Sequence, residues 1–299
     1  MYNGIINIYK EAGFTSHDVV AKLRGILKQK KIGHTGTLDP DAVGVLPVCL
    51  GNATKLCDML TDKSKEYRVR FLLGRTTDTQ DSSGQVLTQS PVTVTEAQVT
   101  AVIHSFLGDY DQVPPMYSAI KVDGKRLYQL AREGKEIERK SRQVHIEYIH
   151  IEELALPEIA MVVGCSKGTY IRTLCHDIGQ ELGCGAVMTH LERSRVGEFL
   201  MEEALPLSEV EQMVKEGTID GHILPVERIF ADYRKVTVDD RFRKLIDNGN
   251  AFYEDMIMES GACIDGESVR VYSQDNRFYG IFAYSSYEKR FKPVKMFME

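Results

Sequence analysis

The chain has 299 residues, 43% of them hydrophobic, and a formal net charge of −6. This length can bury a sizeable core without disulfides or structural metals, and no apolar run approaches the roughly 18–20 residues of a membrane span. The net negative charge argues against a uniformly basic nucleic-acid binder, because phosphate contacts favour basic surfaces.

The first residues and the cysteines predict a cytoplasmic protein. The chain does not start with a basic segment followed by a long apolar one, so we expect no secretory signal. The six cysteines are scattered, with no CxxC pair, which favours reduced thiols over a zinc site or a disulfide framework.

The first part of the chain predicts a strand, a helix, a loop and a buried strand. Residues 4–9 read as a short strand, and Thr15 or Ser16 is a suitable N-cap for the helix that follows. Residues 33–44 contain three glycines and a proline and show little periodicity, so they predict a loop. The apolar run at 45–50 predicts the buried strand. The helix carries its apolar residues on one face: Val19, Val20, Leu23, Ile26 and Leu27.

The middle of the chain predicts further strands and helices. Alternation of Tyr67, Val69 and Phe71 with arginines predicts a strand at 66–74 with one buried face. Thr95 and Thr169 each precede a helical apolar pattern and are expected to cap it. The remaining segments are short helices at 53–60 and 207–216, a loop at 76–84, and strands at 117–122, 144–151 and 159–163.

The sequence pattern changes in the last part of the chain. Short strand-like pieces at 269–271, 279–283 and 294–297 are separated by Gly, Asn and Asp. We therefore expect a small, mostly β domain at 233–299 after a larger domain at 1–232. Many strands that do not alternate strictly with helices make the overall class α+β.

Asp39, Arg172 and Tyr67 are candidate functional residues, each with a plain structural alternative. Asp39 lies in the predicted loop, where Pro40 restricts it to extended conformations, although most Asp-Pro pairs simply form turns. Arg172 lies near a helix start, where the dipole disfavours a cation unless an anion is close. Tyr67 has the parity of a core residue, or its ring stacks on a nucleobase.

A metal site is the competing interpretation of the polar residues. His176 and Asp177 are adjacent, and His34 would complete a ligand set for a metal-dependent hydrolase. The helical phase argues against it, because Ile171, Leu174 and Ile178 define the core face and His176 lies off that stripe. The loop at 33–44 also lacks the endings of phosphate-binding and dinucleotide-binding loops.

A basic segment lies within this acidic chain, at residues 121–142. Eight lysines and arginines against four acids leave a local excess of four positive charges. The segment is either a solvated helix face or a surface for an anionic partner. The basic residues are Lys121, Lys125, Arg126, Arg132, Lys135, Arg139, Lys140 and Arg142, and the acids are Asp123, Glu133, Glu136 and Glu138.

Several blocks resemble the TruB family of tRNA pseudouridine synthases. Residues 33–40 (GHTGTLDP) with 44–48 (GVLPV) resemble the family's catalytic motif. Lys10 with 13–18 (GFTSHD), 65–67 (KEY), 114–121 (PPMYSAIK), 165–172 (CSKGTYIR) and 191–193 (LER) resemble other family blocks in order and spacing. The resemblance extends over about residues 4–197, and the C-terminal part resembles a PUA-like domain by its position.

The resemblance implies a specific fold and reaction. The family fold has a mixed, mainly antiparallel central sheet with flanking helices. Its members convert uridine 55 in the T-loop of tRNA to pseudouridine without metal or cofactor, and we expect a cytoplasmic monomer that binds the tRNA T-stem-loop. The basic segment at 121–142 falls where the family grips RNA. Helping tRNA to fold without chemistry is the alternative function on the same fold.

The resemblance also assigns residues. Asp39 matches the catalytic aspartate, Tyr67 the tyrosine that stacks on the target base and can assist proton transfer, and Arg172 the arginine that pairs with the aspartate. The resemblance also implies four residues in substrate binding. His34 fills the space that the uridine leaves when it flips out, and Tyr170 and Leu191 line the pocket that receives the base. Lys10 supports the N-terminal motif. Two departures stand out: Glu11 replaces an expected proline, and Asp41 adds a carboxylate beside Asp39 that would raise its pKa.

Overall fold

A nine-stranded central sheet organises the computed structural model, which describes residues 1–122, 124–259 and 261–298. Asp123 of the basic segment therefore lies outside the described residues. The strands are β1 (Gly4–Lys10), β2 (Ile32–His34), β3 (Val43–Leu50), β4 (Lys65–Leu73), β5 (Arg75–Thr77), β6 (Val86–Gln89), β7 (Gly108–Gln112), β8 (Lys121–Val122), β9 (Lys125–Arg126), β10 (Arg142–Ala155), β11 (Glu158–Cys165), β12 (Ala186–Val196), β13 (Phe199–Leu200), β14 (Arg234–Thr237), β15 (Phe252–Tyr253), β16 (Ser268–Tyr272), β17 (Phe278–Ser285) and β18 (Arg290–Met296). The helices are α1 (Ser16–Ile26), α2 (Cys57–Thr61), α3 (Glu96–Ser105), α4 (Leu127–Arg132), α5 (Ile171–Glu181), α6 (Leu207–Glu216) and α7 (Arg243–Asp247).

The central sheet is mixed and mainly antiparallel. Its order is β1-β3-β12-β4-β11-β10-β7, with β2 paired to β3 and β13 to β12. The strands pair antiparallel except where β12 runs parallel to β3. Helices α3 and α5 pack against the apolar side of β4, while α1 and α6 cover β1 and β3. The α+β class with flanking helices is confirmed, and across the described ranges no helix is long and apolar enough to cross a membrane.

Periodicity and capping predicted several elements correctly. Thr15 caps α1 in a reciprocal capping box with Asp18, and Thr95 does the same for α3 with Gln98. Strand β4 alternates as predicted, with Tyr67 and its same-parity neighbours buried and the arginines exposed. Helix α6 spans the predicted residues. These segments are the ones in which local pattern and tertiary burial agree.

Some predicted segments differ from the structure. The loop at 33–44 is shorter, because Gly33 and His34 pair with β3 and that strand already begins at Val43. Residues 53–60 form the end of a 3₁₀ helix followed by α2, rather than one helix. The predicted loop at 76–84 starts within β5, which pairs with β6, and only the last two residues of 117–122 form a strand.

The start of α5 also corrects a prediction. Thr169 is not the N-cap, since its hydroxyl donates to the Ser166 carbonyl at 2.9 Å. Tyr170 holds the N-cap position without a side-chain capping bond. The first turn of α5 is thus held by contacts other than a hydroxyl cap, as the site geometry makes clear.

The C-terminal part of the chain forms a second, curled sheet. Among the described residues it has five strands in the order β14-β16-β17-β18-β15, consistent with a PUA-like domain. Ile281 and Phe297 share an apolar cluster with Leu56 of the first part of the chain. The Asn52 side-chain amide also donates to the Met298 carbonyl at 2.8 Å. The second sheet is therefore packed onto the first part, and the domain border at 232/233 stays a prediction.

Strand β12 lies at the middle of the central sheet, where it touches the loop that carries Asp39. Arg193 of β12 pairs with Gly44 at the end of that loop and with Tyr67 on β4. Gly44 has a φ of +106°, and a Cβ atom placed there would lie 2.3 Å from the Arg193 carbonyl oxygen. Only glycine fits this close approach.

Gly44→Ala should therefore destabilise the fold strongly. A strained φ alone costs about 1–3 kcal/mol, and the backbone clash adds to it, so we expect a loss of roughly 3 kcal/mol or more in the free energy of unfolding measured by urea denaturation. Gly25→Ala is the control: Gly25 lies in α1 with open space around its Cβ position, so alanine there should be neutral or stabilise by about 0.5–1 kcal/mol. Equal effects at both positions would contradict the close-approach argument.

Candidate active site

Asp39 and Arg172 form an ion pair beside the central sheet. The Arg172 Nη1 atom lies 3.1 Å from Asp39 Oδ2, and Arg172 is 5% exposed. Its Nη2 atom donates to the Tyr117 carbonyl. Asp39 comes from the loop between β2 and β3, and Arg172 from the first turn of α5. The structure thus brings together two residues that are 133 positions apart in the sequence.

Asp81 is a second carboxylate in this cluster. Its Oδ2 atom lies 3.5 Å from Arg172 Nη1, while its Oδ1 atom accepts hydrogen bonds from Thr79 and Ser83. Gln80 is tied to α5 as well, because Thr173 donates to its side chain at 2.7 Å. The sequence interpretation missed Asp81, since its surroundings of Asp, Thr, Ser and Gly read as an ordinary turn.

The loop around Asp39 is braced from below by buried polar side chains. The Lys10 ammonium group, on a side chain that is fully buried, donates to the carbonyls of Pro40 at 2.9 Å and Ala42 at 2.6 Å. On the other side of Asp39, the Leu38 amide donates to the Ser16 hydroxyl at 2.9 Å. The backbone is therefore held on both sides of Asp39, and the N-terminal motif serves as its support. Glu11 supplies only a carbonyl to Lys10, so its departure from proline leaves this brace in place.

Burial and neighbouring charges act in opposite directions on the pKa of Asp39. Burial raises the pKa of Asp39, the Arg172 guanidinium counteracts this rise, and the carboxylates of Asp81 and Asp41 add to it. Lys10 also favours the ionised form, although burial lowers the pKa of Lys10 itself to about 8. Asp41 raises the Asp39 pKa, as expected from the sequence, but the Asp81 carboxylate raises it more.

Aromatic and apolar side chains border the ion pair. Tyr67 is 8% exposed on β4, and Leu191 is 7% exposed on the neighbouring β12. Tyr170 precedes Arg172, and its backbone amide and carbonyl are both bound by the Gln112 side chain, at 2.8 and 3.0 Å. Gln112 therefore fixes the backbone of the N-cap residue of α5. Burial raises the pKa of both tyrosines, so their hydroxyls are protonated at neutral pH.

His34 does not join a metal cluster. Its ring lies 5.4 Å from that of His17 in an edge-on arrangement, and burial lowers its pKa. Asp177 instead accepts a hydrogen bond from Tyr110. Across the described ranges, no three His, Cys, Asp or Glu side chains are grouped as metal ligands would be, so the geometry gives no support to the hydrolase interpretation built on His34, His176 and Asp177.

The basic segment 121–142 forms an outlying ribbon and a short helix. Strands β8 and β9 make the ribbon and α4 follows it. Most of its basic side chains are exposed, and the Arg139 guanidinium donates to the Pro114 carbonyl at 3.2 Å. The Tyr117 carbonyl, four residues before the ribbon, accepts a hydrogen bond from Arg172, so the chain leads from the ion pair into this segment.

Comparison with known proteins decides the family. The model of the TruB family pseudouridylate synthase N-terminal domain matches residues 24–171, and that of the tRNA pseudouridylate synthase B C-terminal domain matches residues 172–231. The tRNA pseudouridine synthase B of Lachnoclostridium phytofermentans is 51% identical, over 99% of this chain and all of that protein. The chain belongs to the TruB family of pseudouridylate synthases. It is accordingly an isomerase.

Further relatives agree with this membership. The tRNA pseudouridine synthase B of Clostridium perfringens is 46% identical over 99% of both chains. Among solved structures, a chain of an H/ACA ribonucleoprotein bound to a substrate RNA containing 2′-deoxyuridine matches with a TM-score of 0.72 and 27% identity, over 99% of this TruB-family chain and 85% of that one. A chain of a Cbf5-Nop10-Gar1 complex matches with a TM-score of 0.71 and 29% identity, with the same coverage.

The Lys10 brace leads to a stability prediction. Lys10→Met leaves buried carbonyls of the loop without donors, and each unsatisfied group costs about 1–3 kcal/mol, so we expect the free energy of unfolding to fall by roughly 3 kcal/mol. Amide hydrogen exchange at residues 38–44 should become faster. Lys30→Met, at an exposed lysine without such contacts, is the control and should change neither measurement. Unchanged exchange in the Lys10 variant would show that the loop does not depend on this brace.

Proposed function

We propose that this isomerase converts uridine 55 in the T-loop of tRNA to pseudouridine, with Asp39 as its catalytic carboxylate. The observation that carries the proposal is the Asp39–Arg172 ion pair in a partly buried setting, in a chain whose close relatives are named tRNA pseudouridine synthase B. Asp39 keeps 35% of its side chain exposed, so a substrate can reach the carboxylate.

The reaction requires an ionised acid beside the sugar. The N1–C1′ bond breaks, the uracil turns, and C5 bonds to C1′, which is chemistry of the kind in which a carboxylate stabilises or captures an electron-poor sugar carbon. Asp39 serves either by bonding to C1′ or by taking a sugar proton. Arg172 supports both routes, because it keeps Asp39 charged where burial favours the neutral acid.

The neighbouring side chains fit an everted nucleoside. A uridine inside a folded loop must leave its stack, at a cost of a few kcal/mol, before it can be modified. Tyr67 is proposed to stack on the target base, with Tyr170 and Leu191 lining the pocket. His34 is proposed to occupy the space that the uridine leaves. Lys10 supports the site indirectly, because its buried ammonium group holds the backbone of the loop that carries Asp39.

The proposed substrate is recognised largely through its backbone and shape, as folded RNA loops generally are. The exposed basic side chains of segment 121–142 provide phosphate contacts in a chain that is acidic overall. We propose that the segment grips the T-stem-loop. A monomer suffices, since this proposal needs residues from one chain only.

Asp39→Asn should abolish pseudouridine formation while tRNA binding stays within about twofold, because the amide keeps the shape but not the charge. Pseudouridine mapping on an unmodified tRNA transcript and filter binding measure the two effects. Asp41→Asn is the matched control at a neighbouring exposed carboxylate and should retain activity. Full turnover by Asp39→Asn would remove Asp39 from the mechanism. Wild-type protein that binds tRNA but leaves it unmodified would favour the noncatalytic tRNA-folding role.

The pH profile of the single-turnover rate tests the two partners of Asp39. Arg172 lowers the Asp39 pKa, so Arg172→Met should raise it and move the acidic limb of the profile to higher pH, with a rate loss of about 100-fold at pH 7. Asp81 raises the Asp39 pKa, so Asp81→Asn should move the same limb to lower pH. Shifts in the same direction for both variants would contradict this assignment of charges.

A further inference from the structure

Arg193 is a buried cation beneath the proposed site that the mechanism so far does not use. It is 1% exposed, and no carboxylate in residues 1–122, 124–259 and 261–298 forms a salt bridge with it. Its Nε atom donates to the Val45 carbonyl at 2.7 Å, and its Nη2 atom to the Gly36 carbonyl at 3.4 Å. A buried charge without a counter-ion is costly, so the groups that Arg193 faces are where its charge has an effect.

Strand pairing places the Arg193 charge beside Tyr67. Arg193 on β12 is the direct cross-strand partner of Tyr67 on β4. Residues directly opposite each other on antiparallel strands share one face of the sheet, so the positive charge of Arg193 acts on the Tyr67 phenol. The same guanidinium contacts the backbone on both sides of Asp39, at Gly36 and Val45. One side chain therefore sets the position of the phenol relative to the catalytic loop.

The charge of Arg193 changes the protonation balance of Tyr67. Burial raises the pKa of Tyr67, and the positive charge of Arg193 is the first influence that opposes this rise. The guanidinium thus stabilises a phenolate that burial alone would make inaccessible. It leaves the neutral phenol as the resting form, so the phenolate can exist only as a short-lived species next to this cation.

We propose that Arg193 is a positioning residue that enables Tyr67 to carry a proton from C5 to N1 of the target uracil during the rearrangement; this inference rests on the proposed function. Arg193 does not touch the substrate in this account. It acts through Tyr67, its cross-strand partner, whose ionised form the nearby positive charge favours.

The proton transfers balance without another reactant. As the N1–C1′ bond breaks, its electron pair moves onto N1, and Tyr67 gives its phenolic proton to that nitrogen. The C5–C6 π electrons then form the bond from C5 to C1′, and the Tyr67 phenolate takes the C5 proton. The electron pair of the C5–H bond restores the C5–C6 double bond, and Tyr67 is again a neutral phenol. The ring has then exchanged a C5 proton for an N1 proton, as pseudouridine requires.

The test is the deuterium isotope effect on single-turnover pseudouridine formation, with tRNA transcribed from ordinary or 5-deuterated uridine triphosphate. General base catalysis typically contributes about 10²–10⁴-fold, so Arg193→Met should slow the reaction roughly 100-fold or more. Because removal of the C5 proton then becomes slow, the isotope effect should exceed that of wild type. Tyr67→Phe should show the same rise. The double variant should be no slower than the slower single variant, since both changes disable one unit.

The controls separate this role from a structural one. Arg195→Met, at an arginine two residues along the same strand that binds the Tyr148 hydroxyl instead, should keep the wild-type rate and isotope effect. If Arg193→Met does not fold, Arg193→Lys, which retains a cation, should show a smaller rise in the same isotope effect. A slow Arg193 variant with the wild-type isotope effect, or rate losses that multiply in the double variant, would overturn the inference alone. Wild-type protein inactive on tRNA would overturn the proposed function and this inference together.

Discussion

An ion pair between Asp39 and Arg172, 3.1 Å apart at the start of α5, is the interaction on which the site depends. A helix start disfavours a cation, and burial disfavours an ionised carboxylate. Each partner therefore stabilises the charged form of the other at its position. Asp81 and the Tyr117 carbonyl complete the surroundings of the guanidinium, so that α5, the Asp39 loop and the segment before the basic ribbon meet at one residue.

Buried cations hold the loop that carries Asp39 where a sheet ladder does not. Lys10 binds the Pro40 and Ala42 carbonyls, and Arg193 binds those of Gly36 and Val45. These side chains fix the loop backbone and at the same time place positive charge beneath it. The cations of Lys10, Arg172 and Arg193 thereby balance the carboxylates of Asp39, Asp41 and Asp81, inside a chain with a net charge of −6. Overall charge is a poor guide to such a site, because it is made by a few buried groups.

Sequence patterns predicted the elements in which one face is buried, such as β4 and α1, and the family resemblance predicted that Asp39 and Arg172 would meet. Strand β12 was missed because polar residues occupy both of its parities and its pairing with β4 is irregular near Arg193. Asp81 was missed because nothing local marks it as a partner of Arg172. Both omissions concern long-range contacts, which hydrophobic periodicity does not encode.

The central claim is that Arg172 keeps Asp39 charged in a setting that favours the neutral acid. Carboxyl-carbon NMR of aspartate-labelled protein, with Asp39→Asn used to assign the resonance, measures the Asp39 pKa directly. The account predicts a pKa above the ordinary aspartate range in the wild type and a further rise in Arg172→Met. An Asp39 pKa that is the same with and without the guanidinium would contradict it.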